Sequence, residues 1–282
     1  MKVKSMAKVH NPEFTIDQYV SSDKGVRLNI GDTTVQENDL QESSDIFAFE
    51  DYQNAHNFPL EIPALDTEFL LKQEFQRCLD MPLRLAGGTD YNLPEEWKTL
   101  APLLESIIAV EHAHNPNWRD YHTYLTIDAK YVVKEEQQRH GGLHVDGFQG
   151  SRIEDKTKIT RNYVLTTNGG TRFYKQPFIV VDETQFNVFQ GFDLQASVDP
   201  FIAKENTIYF MNAYTVHESG LASYDGLRTF LRLTYDLKKF DRAGNTHNSM
   251  LDYSWDMVPR NVHQTVATPT LADVHGSPYA KR

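Results

Sequence analysis

Three regimes of hydrophobic patterning follow one another along the chain. Up to about residue 60 apolar positions are sparse and the polar ones acid-rich, most densely over 36–45. Only 26–30 alternates, Val-Arg-Leu-Asn-Ile before Gly31-Asp32, which predicts one short strand on a segment lying outside the main core. Between 61 and 120 the period becomes helical. Asp66 or Thr67 is a candidate cap for a helix running to about Asp80, with Leu71, Phe75, Cys78 and Leu79 on one side and Pro82 closing it. A second helix is expected after Asn92-Leu93-Pro94-Glu95-Glu96, where Trp97, Leu100, Leu103, Leu104, Ile107 and Ile108 recur at helical spacing. Pro102 inside it predicts a kink or a restart.

From Tyr121 the period drops to two. Short runs at 122–127, 131–133, 143–145, 162–167, 178–181, 186–189, 207–211 and 228–235 read as strands, separated by turn signals such as Gly141-Gly142, Asn168-Gly169-Gly170 and Asp225-Gly226. Many short strands behind two helices predict a mainly β sandwich or barrel with bracing α-helices against one face. One domain is expected, divided into a polar N-terminal segment (1–60), bracing helices (61–120), a β core (121–240) and a C-terminal extension (241–282). That extension carries Tyr253, Trp255 and Pro259 without a period and reads as a lid, an oligomer contact or a poorly ordered terminus.

Composition narrows the partners. The 282 residues are 40% hydrophobic and 24% charged, ample for a soluble globular core. A formal net charge of −11 argues against sequence-independent binding to nucleic acid, which needs Lys and Arg against phosphate, and favours a small-molecule substrate. No apolar run approaches a membrane span, and no apolar signal region follows Met1. The single Cys78 excludes an internal disulfide and reads as an inert core thiol, so a cytoplasmic protein is expected.

The chemistry is concentrated in Gly141-Gly142-Leu143-His144-Val145-Asp146-Gly147-Phe148. On a strand His144 and Asp146 point to one face, which makes half of a metal site. His217, after the strand at 207–211, supplies a second imidazole. Two imidazoles and one carboxylate form a facial triad, an arrangement that leaves coordination positions open and suits non-haem Fe(II). Eleven residues beyond His217 stands Arg228, opening an apolar strand, where a buried guanidinium needs an anion. Arg232 lies four residues on, on the same strand face, either meeting an anionic substrate or forming a structural ion pair.

These residues, in this order and spacing, resemble the Fe(II)/2-oxoglutarate-dependent dioxygenase superfamily, and most closely its prolyl-4-hydroxylase-like pattern. His144-Val145-Asp146 is similar to its His-x-Asp and His217 to its distal histidine. The run Asn168-Gly169-Gly170-Thr171-Arg172-Phe173 is similar to its glycine turn and Thr-x-Phe strand, with Asn168 in the first glycine position. Asp225-Gly226-Leu227-Arg228 stands where it has Gly-x-Lys or Gly-x-Arg. The resemblance spans roughly 121–236. It implies a double-stranded β-helix (a jelly roll, cupin-like) with His144, Asp146 and His217 as catalytic iron ligands. It also implies 2-oxoglutarate held by Arg228 and Thr171, and reaction with O2 that oxidises a substrate C–H bond and releases succinate and CO2. Related halogenases have a small residue at the position of Asp146, so the carboxylate favours hydroxylation.

The substrate expected is small and anionic or amino-acid-like, contacted by Arg232, Arg172 and Tyr124. Rival readings are the same chemistry on a protein side chain or nucleobase, and a cupin-like isomerase or binding protein that does not use 2-oxoglutarate. Other candidates read as bland: His112-Ala113-His114 beside Glu111 as a solvated helix end, His140 as a surface or supporting histidine, and Tyr163 as a core or face residue.

Overall fold

A computed structural model describes residues 19–22, 24–30, 49–53, 58–62, 66–138, 142–146, 160–180, 187–197, 199–259 and 270. The acid-rich run at 36–45, His140 and Phe186 lie outside these residues.

Among the described residues twelve strands and two α-helices are formed. The strands are β1 (Tyr19–Ser22), β2 (Gly25–Leu28), β3 (Leu60–Ile62), β4 (Cys78–Arg84), β5 (Tyr91–Pro94), β6 (His122–Val132), β7 (Arg161–Thr166), β8 (Arg172–Phe173), β9 (Phe201–Ile202), β10 (Ile208–Asn212), β11 (His217–Glu218) and β12 (Gly226–Asp236). The helices are α1 (Ala101–His114) and α2 (Val188–Gln195). All pairing between strands is antiparallel, in a six-stranded sheet ordered β3-β10-β7-β12-β6-β4, a three-stranded sheet β11-β8-β9, and an N-terminal sheet β1-β2-β5. From β6 to β12 the chain passes back and forth between the first two sheets, and His144 bridges to His217 at the free edge of the smaller one. This is the expected jelly roll.

Period-two alternation sorts the side chains into layers. On the six-stranded sheet Leu125, Ile127, Tyr163, Leu165, Phe210, Leu231 and Leu233 face outward and bury against Leu103, Leu104, Ile107 and Ile108 of α1. Each such aliphatic side chain contributes roughly 2 kcal/mol through burial. Their neighbours Val164, Tyr209 and Met211 face inward and meet Phe173 and Ala203 of the smaller sheet. Leu143, Val145 and Val216, flanking the triad positions, face outward instead and pack under Phe192 of α2. The space between the sheets holds the inward residues, His144, Asp146 and His217 among them.

Several expectations are corrected. In place of a helix to Asp80 there is one 3-10 turn, Glu68–Leu71, followed by β4 on the edge of the large sheet. Pairing with β6 overrides the helical spacing, and an edge strand tolerates Pro82. Cys78 is a buried core thiol as expected, but on this strand; burial pushes it up to about 12. The second helix does form, as a 3-10 turn Glu95–Leu100 restarting as α1 with Pro102 in its first turn, where a missing N–H costs nothing. Of the run at 186–189, residues 187–189 open α2 rather than a strand: the Asn187 side chain accepts from Phe189 N and Gln190 N and caps the helix. Residues 177–180 form no regular element. The described part of the N-terminal segment is not outside the core, since Val26, Leu28 and Tyr52 are buried.

The described part of the C-terminal extension packs on the barrel. Trp255 packs edge-on against His122 with ring centroids 5.7 Å apart, and Phe240, just before the extension, stacks on Tyr124 at 4.1 Å. Thr246 donates to Leu79 O at 2.8 Å, and its hydroxyl accepts from Leu79 N at 2.9 Å. Among the described residues no helix is long and apolar enough to cross a membrane.

Candidate metal centre

His144 and His217 form a cross-strand pair whose two backbone hydrogen bonds, N–H to O in each direction, are both 2.9 Å long. Such a pair sends both side chains to one face, and the imidazole centroids lie 4.5 Å apart. A turn stabilised by Asn212, whose Oδ1 accepts from Tyr214 N and the Thr215 hydroxyl at 3.0 Å each, delivers the chain from β10 to His217. Asp146, two residues beyond His144, brings a carboxylate to the same place. One ligand atom from each of the three residues lies within 4.8 Å of the others.

The protonation pattern suits a metal. Nδ1 of His144 lies 3.0 Å from Gly142 O, and Nδ1 of His217 lies 2.8 Å from Thr215 O. A carbonyl only accepts, so each Nδ1 carries a proton and Nε2 is the atom of each ring that faces the place of a metal. Burial and the neighbouring His144 push His217 down to about 4, so its ring is neutral near pH 7. For Asp146 burial acts upward, but Arg232, His217 and His144 together outweigh it and hold the carboxyl well below the usual carboxylate range. Two imidazoles and one carboxylate are the donor set that Fe(II) takes in a facial triad.

The triad opens on a cavity of about 1100 Å³, large enough for a co-substrate and a small molecule together. Val164, Met211, Phe189 and Phe230 give it apolar walls, while Arg77, Asp128, Lys130 and Glu218 give it charge. Arg228 and Thr171 also line it. The Arg228 guanidinium is buried and donates to Asn168 O, to Gly169 O at 2.9 Å, to Gln138 Oε1 at 3.0 Å and to Ser219 Oγ at 3.4 Å. The glycine turn is sterically required. A Cβ on Gly170 would stand 1.8 Å from Ala203 O, and one on Gly169, whose φ is +73°, 2.2 Å from Leu221 O.

The three residues expected to meet substrate are placed differently. Arg232 lines the cavity, but Nη1 donates to Asp146 Oδ1 at 2.6 Å and Nη2 to Asp80 Oδ1 at 2.9 Å. It is an ion-pair residue, the alternative left open by its strand position. Arg172 is absent from the cavity wall and pairs with Glu218 at 3.2 Å. Tyr124 is also absent from the wall; its hydroxyl donates to Lys238 O at 2.7 Å beneath the C-terminal extension. His112 is no solvated helix end: it is buried, stacked on Trp118 at 3.7 Å and bonded to Tyr91 OH at 2.9 Å. Glu111 beside it is buried against Arg161 and Tyr163. Gln138, Asn168 and Ser219, which hold Arg228, and Asp80, which holds Arg232, are residues that local spacing does not mark. Asp80 itself stood only as the end of the expected helix, with Pro82 two residues on as the signal that could have marked a break there.

No family model matches the chain, and no curated protein matches it in sequence. Among solved structures it is similar to an oxidoreductase of the 2OG-Fe(II) oxygenase family from Burkholderia pseudomallei, at 13% identity and a TM-score of 0.37, over 72% of this chain and 93% of that one. It is also similar to the non-heme monooxygenase ThoJ in its nickel complex, at 13% identity and a TM-score of 0.28, over 45% of this chain and 49% of that one. The third is EvdMO1, at 16% identity and a TM-score of 0.29, over 51% of this chain and 33% of that one. Likenesses this distant carry no weight for the chemistry, which rests on the triad, the cavity and Arg228.

Proposed function

We propose that the protein is a non-haem Fe(II)- and 2-oxoglutarate-dependent oxygenase that hydroxylates a C–H bond of a small molecule, with release of succinate and CO2. The observation that carries this reading is one cavity that holds both a His-Asp-His face and a buried guanidinium. His144, Asp146 and His217 would hold the metal through two Nε2 atoms and a carboxylate oxygen. Three protein ligands on one face leave positions for a chelating co-substrate and for oxygen.

Arg228 would take the far carboxylate of 2-oxoglutarate. Its planar fork suits a carboxylate, and the neutral acceptors at Asn168, Gly169, Gln138 and Ser219 fix the orientation of that fork. Thr171 on the same wall offers a hydroxyl to that ligand. When bound, Fe(II) and 2-oxoglutarate together supply the activation of O2. The chain's own part is to bind, to orient and to keep water out. Val164, Met211, Phe189 and Phe230 supply the apolar surface against which a C–H bond is aligned. Asp146 favours hydroxylation over halogenation because its carboxylate stands where a halide would bind. With Arg232 and Arg172 engaged by carboxylates, support for an anionic or amino-acid-like substrate comes from Arg77 and Lys130 in the cavity wall.

The test is anaerobic addition of Fe(II) and then 2-oxoglutarate to the protein. A visible charge-transfer band that develops only with both is expected. Its absence at saturating concentrations overturns the proposal.

A further inference from the structure

Arg232 is nearly enclosed, with 13% of its side chain exposed, and its two terminal nitrogens are divided between two carboxylates. One is Asp146, a member of the triad. The other is Asp80, which sequence reasoning passes over as a helix terminus. A buried guanidinium needs one carboxylate for neutrality. Asp80 is thus a second acceptor on a guanidinium that Asp146 already engages, and its part is to fix where that guanidinium points.

The backbone is shaped to bring Asp80 there. The register of β4 against β6 shifts between Cys78 and Met81, the mark of a β-bulge, and Asp80 sits inside that shift with φ +46°. A non-glycine residue in this region costs on the order of 1–2 kcal/mol, and such strain persists only where surrounding contacts hold it. Here Thr126 holds it. The Thr126 hydroxyl accepts from Asp80 N at 3.0 Å and donates to Asp80 Oδ1 at 2.9 Å. Thr126 is also the cross-strand partner of Arg232. Asp80, Thr126 and Arg232 therefore stand side by side on β4, β6 and β12, in a row that ends at Asp146.

We propose that Asp80 is a positioning residue for the metal centre: it fixes Arg232, which ties down Oδ1 of Asp146 and leaves Oδ2 to the metal. This inference rests on reading the triad as a metal site. The contacts already divide the carboxylate in this way. Arg232 Nη1 meets Oδ1 at 2.6 Å, whereas the approach to His217 Nε2, 4.0 Å, is from Oδ2. A ligand carboxylate held at one oxygen binds through the other alone, which keeps coordination positions open. The β-bulge is then part of the site, although it contributes no ligand.

The experiment measures Mn(II) affinity and the visible ligand-field spectrum of the Co(II) form, in the full chain and without turnover. Asp80→Ala is expected to weaken Mn(II) binding roughly 10- to 100-fold and to shift the Co(II) bands as the Asp146 carboxylate is freed. Asp80→Asn, which keeps the Oδ1 acceptor for Arg232 and Thr126, should recover most of the affinity. In an Arg232→Met background Asp80→Ala should have no further effect, because Asp80 acts through Arg232. If Asp80→Ala does not fold, Arg232→Lys, which lacks the fork to span both carboxylates, serves instead with the same expected loss. Wild-type affinity with unmoved Co(II) bands in Asp80→Ala, or in Arg232→Lys, overturns the positioning role alone. So does a full additional loss in the Arg232→Met background. Failure of the wild type to bind Mn(II) overturns the metal reading and this inference with it.

Discussion

His144 and His217 hold each other by their backbones: each donates its N–H to the other's carbonyl at 2.9 Å, and the two imidazoles project from that pair into one cavity. The geometry of the centre is thus built by main-chain bonds, which a change of side chain leaves in place. His217→Ala should remove one ligand and leave the strand pair standing. Metal affinity by calorimetric titration is expected to fall by two orders of magnitude or more, with far-UV circular dichroism unchanged. Loss of the β signature together with the metal would show that the ring, rather than the backbone, builds the edge.

Arg228→Ala should separate the two ligands of the proposed reaction. Metal binding is expected to persist, while 2-oxoglutarate affinity falls by 10- to 100-fold, in line with the roughly 1.5–3 kcal/mol that a hydrogen bond to a charged group supplies. Anaerobic titration of the charge-transfer band reads both. Equal weakening of metal and 2-oxoglutarate would show that Arg228 serves the fold rather than the co-substrate.

Away from the cavity, Glu111 of α1 joins the helix to the large sheet. Its carboxylate accepts from Arg161 Nε at 2.7 and 3.0 Å, from Tyr163 OH at 2.7 Å and from Asn115 Nδ2 at 2.7 Å, and it is fully buried. Removing one partner of a buried ion pair strands the other charge, so Glu111→Ala is expected to cost about 3–5 kcal/mol in urea unfolding. The double substitution Glu111→Leu with Arg161→Met should recover a large part of that loss.

His122 gives the fold a pH dependence with a definite sign. Burial, then Arg84 and Lys239, push its ring down to about 4 against the pull of Asp236, and Ala86 N donates to its Nδ1 at 3.1 Å, a bond the protonated ring does not accept. The folded state binds the proton less readily than the unfolded chain, whose histidine titrates near 6.5. The contribution is therefore fully present above pH 6.5 and is lost as pH falls toward 4. Stability measured by urea at pH 7, 5.5 and 4.5 should decline across this window, and less steeply in His122→Gln. An equal slope in both would remove His122 as a source.

The legible part of this structure was the part governed by short-range alternation. His144 and Asp146 share a face because they are two residues apart on an extended segment, and Leu143 and Val145 were sorted to the opposite face by the same rule. Arg228 and Arg232 were likewise placed on one face of β12. What the sequence did not disclose depends on pairing between distant segments. Cys78 and Leu79 carry helical spacing, but β6 captures them as an edge strand, and Asn187 starts a helix in a run whose few apolar residues fit either element. The destinations of Arg232, Arg172 and Tyr124 were hidden for the same reason: Asp80, Glu218 and Lys238, which engage them, are remote in sequence.

Thr246 binds Leu79 through both its N–H and its hydroxyl, one residue before Asp80. The described part of the C-terminal extension is therefore pinned to β4 beside the β-bulge, one residue from the side chain that holds Arg232. In hydrogen–deuterium exchange the amides of Leu79 and Thr246 should open together, and loading the triad with Mn(II) should slow both. A tail that touches no ligand would then report on occupancy from outside the barrel.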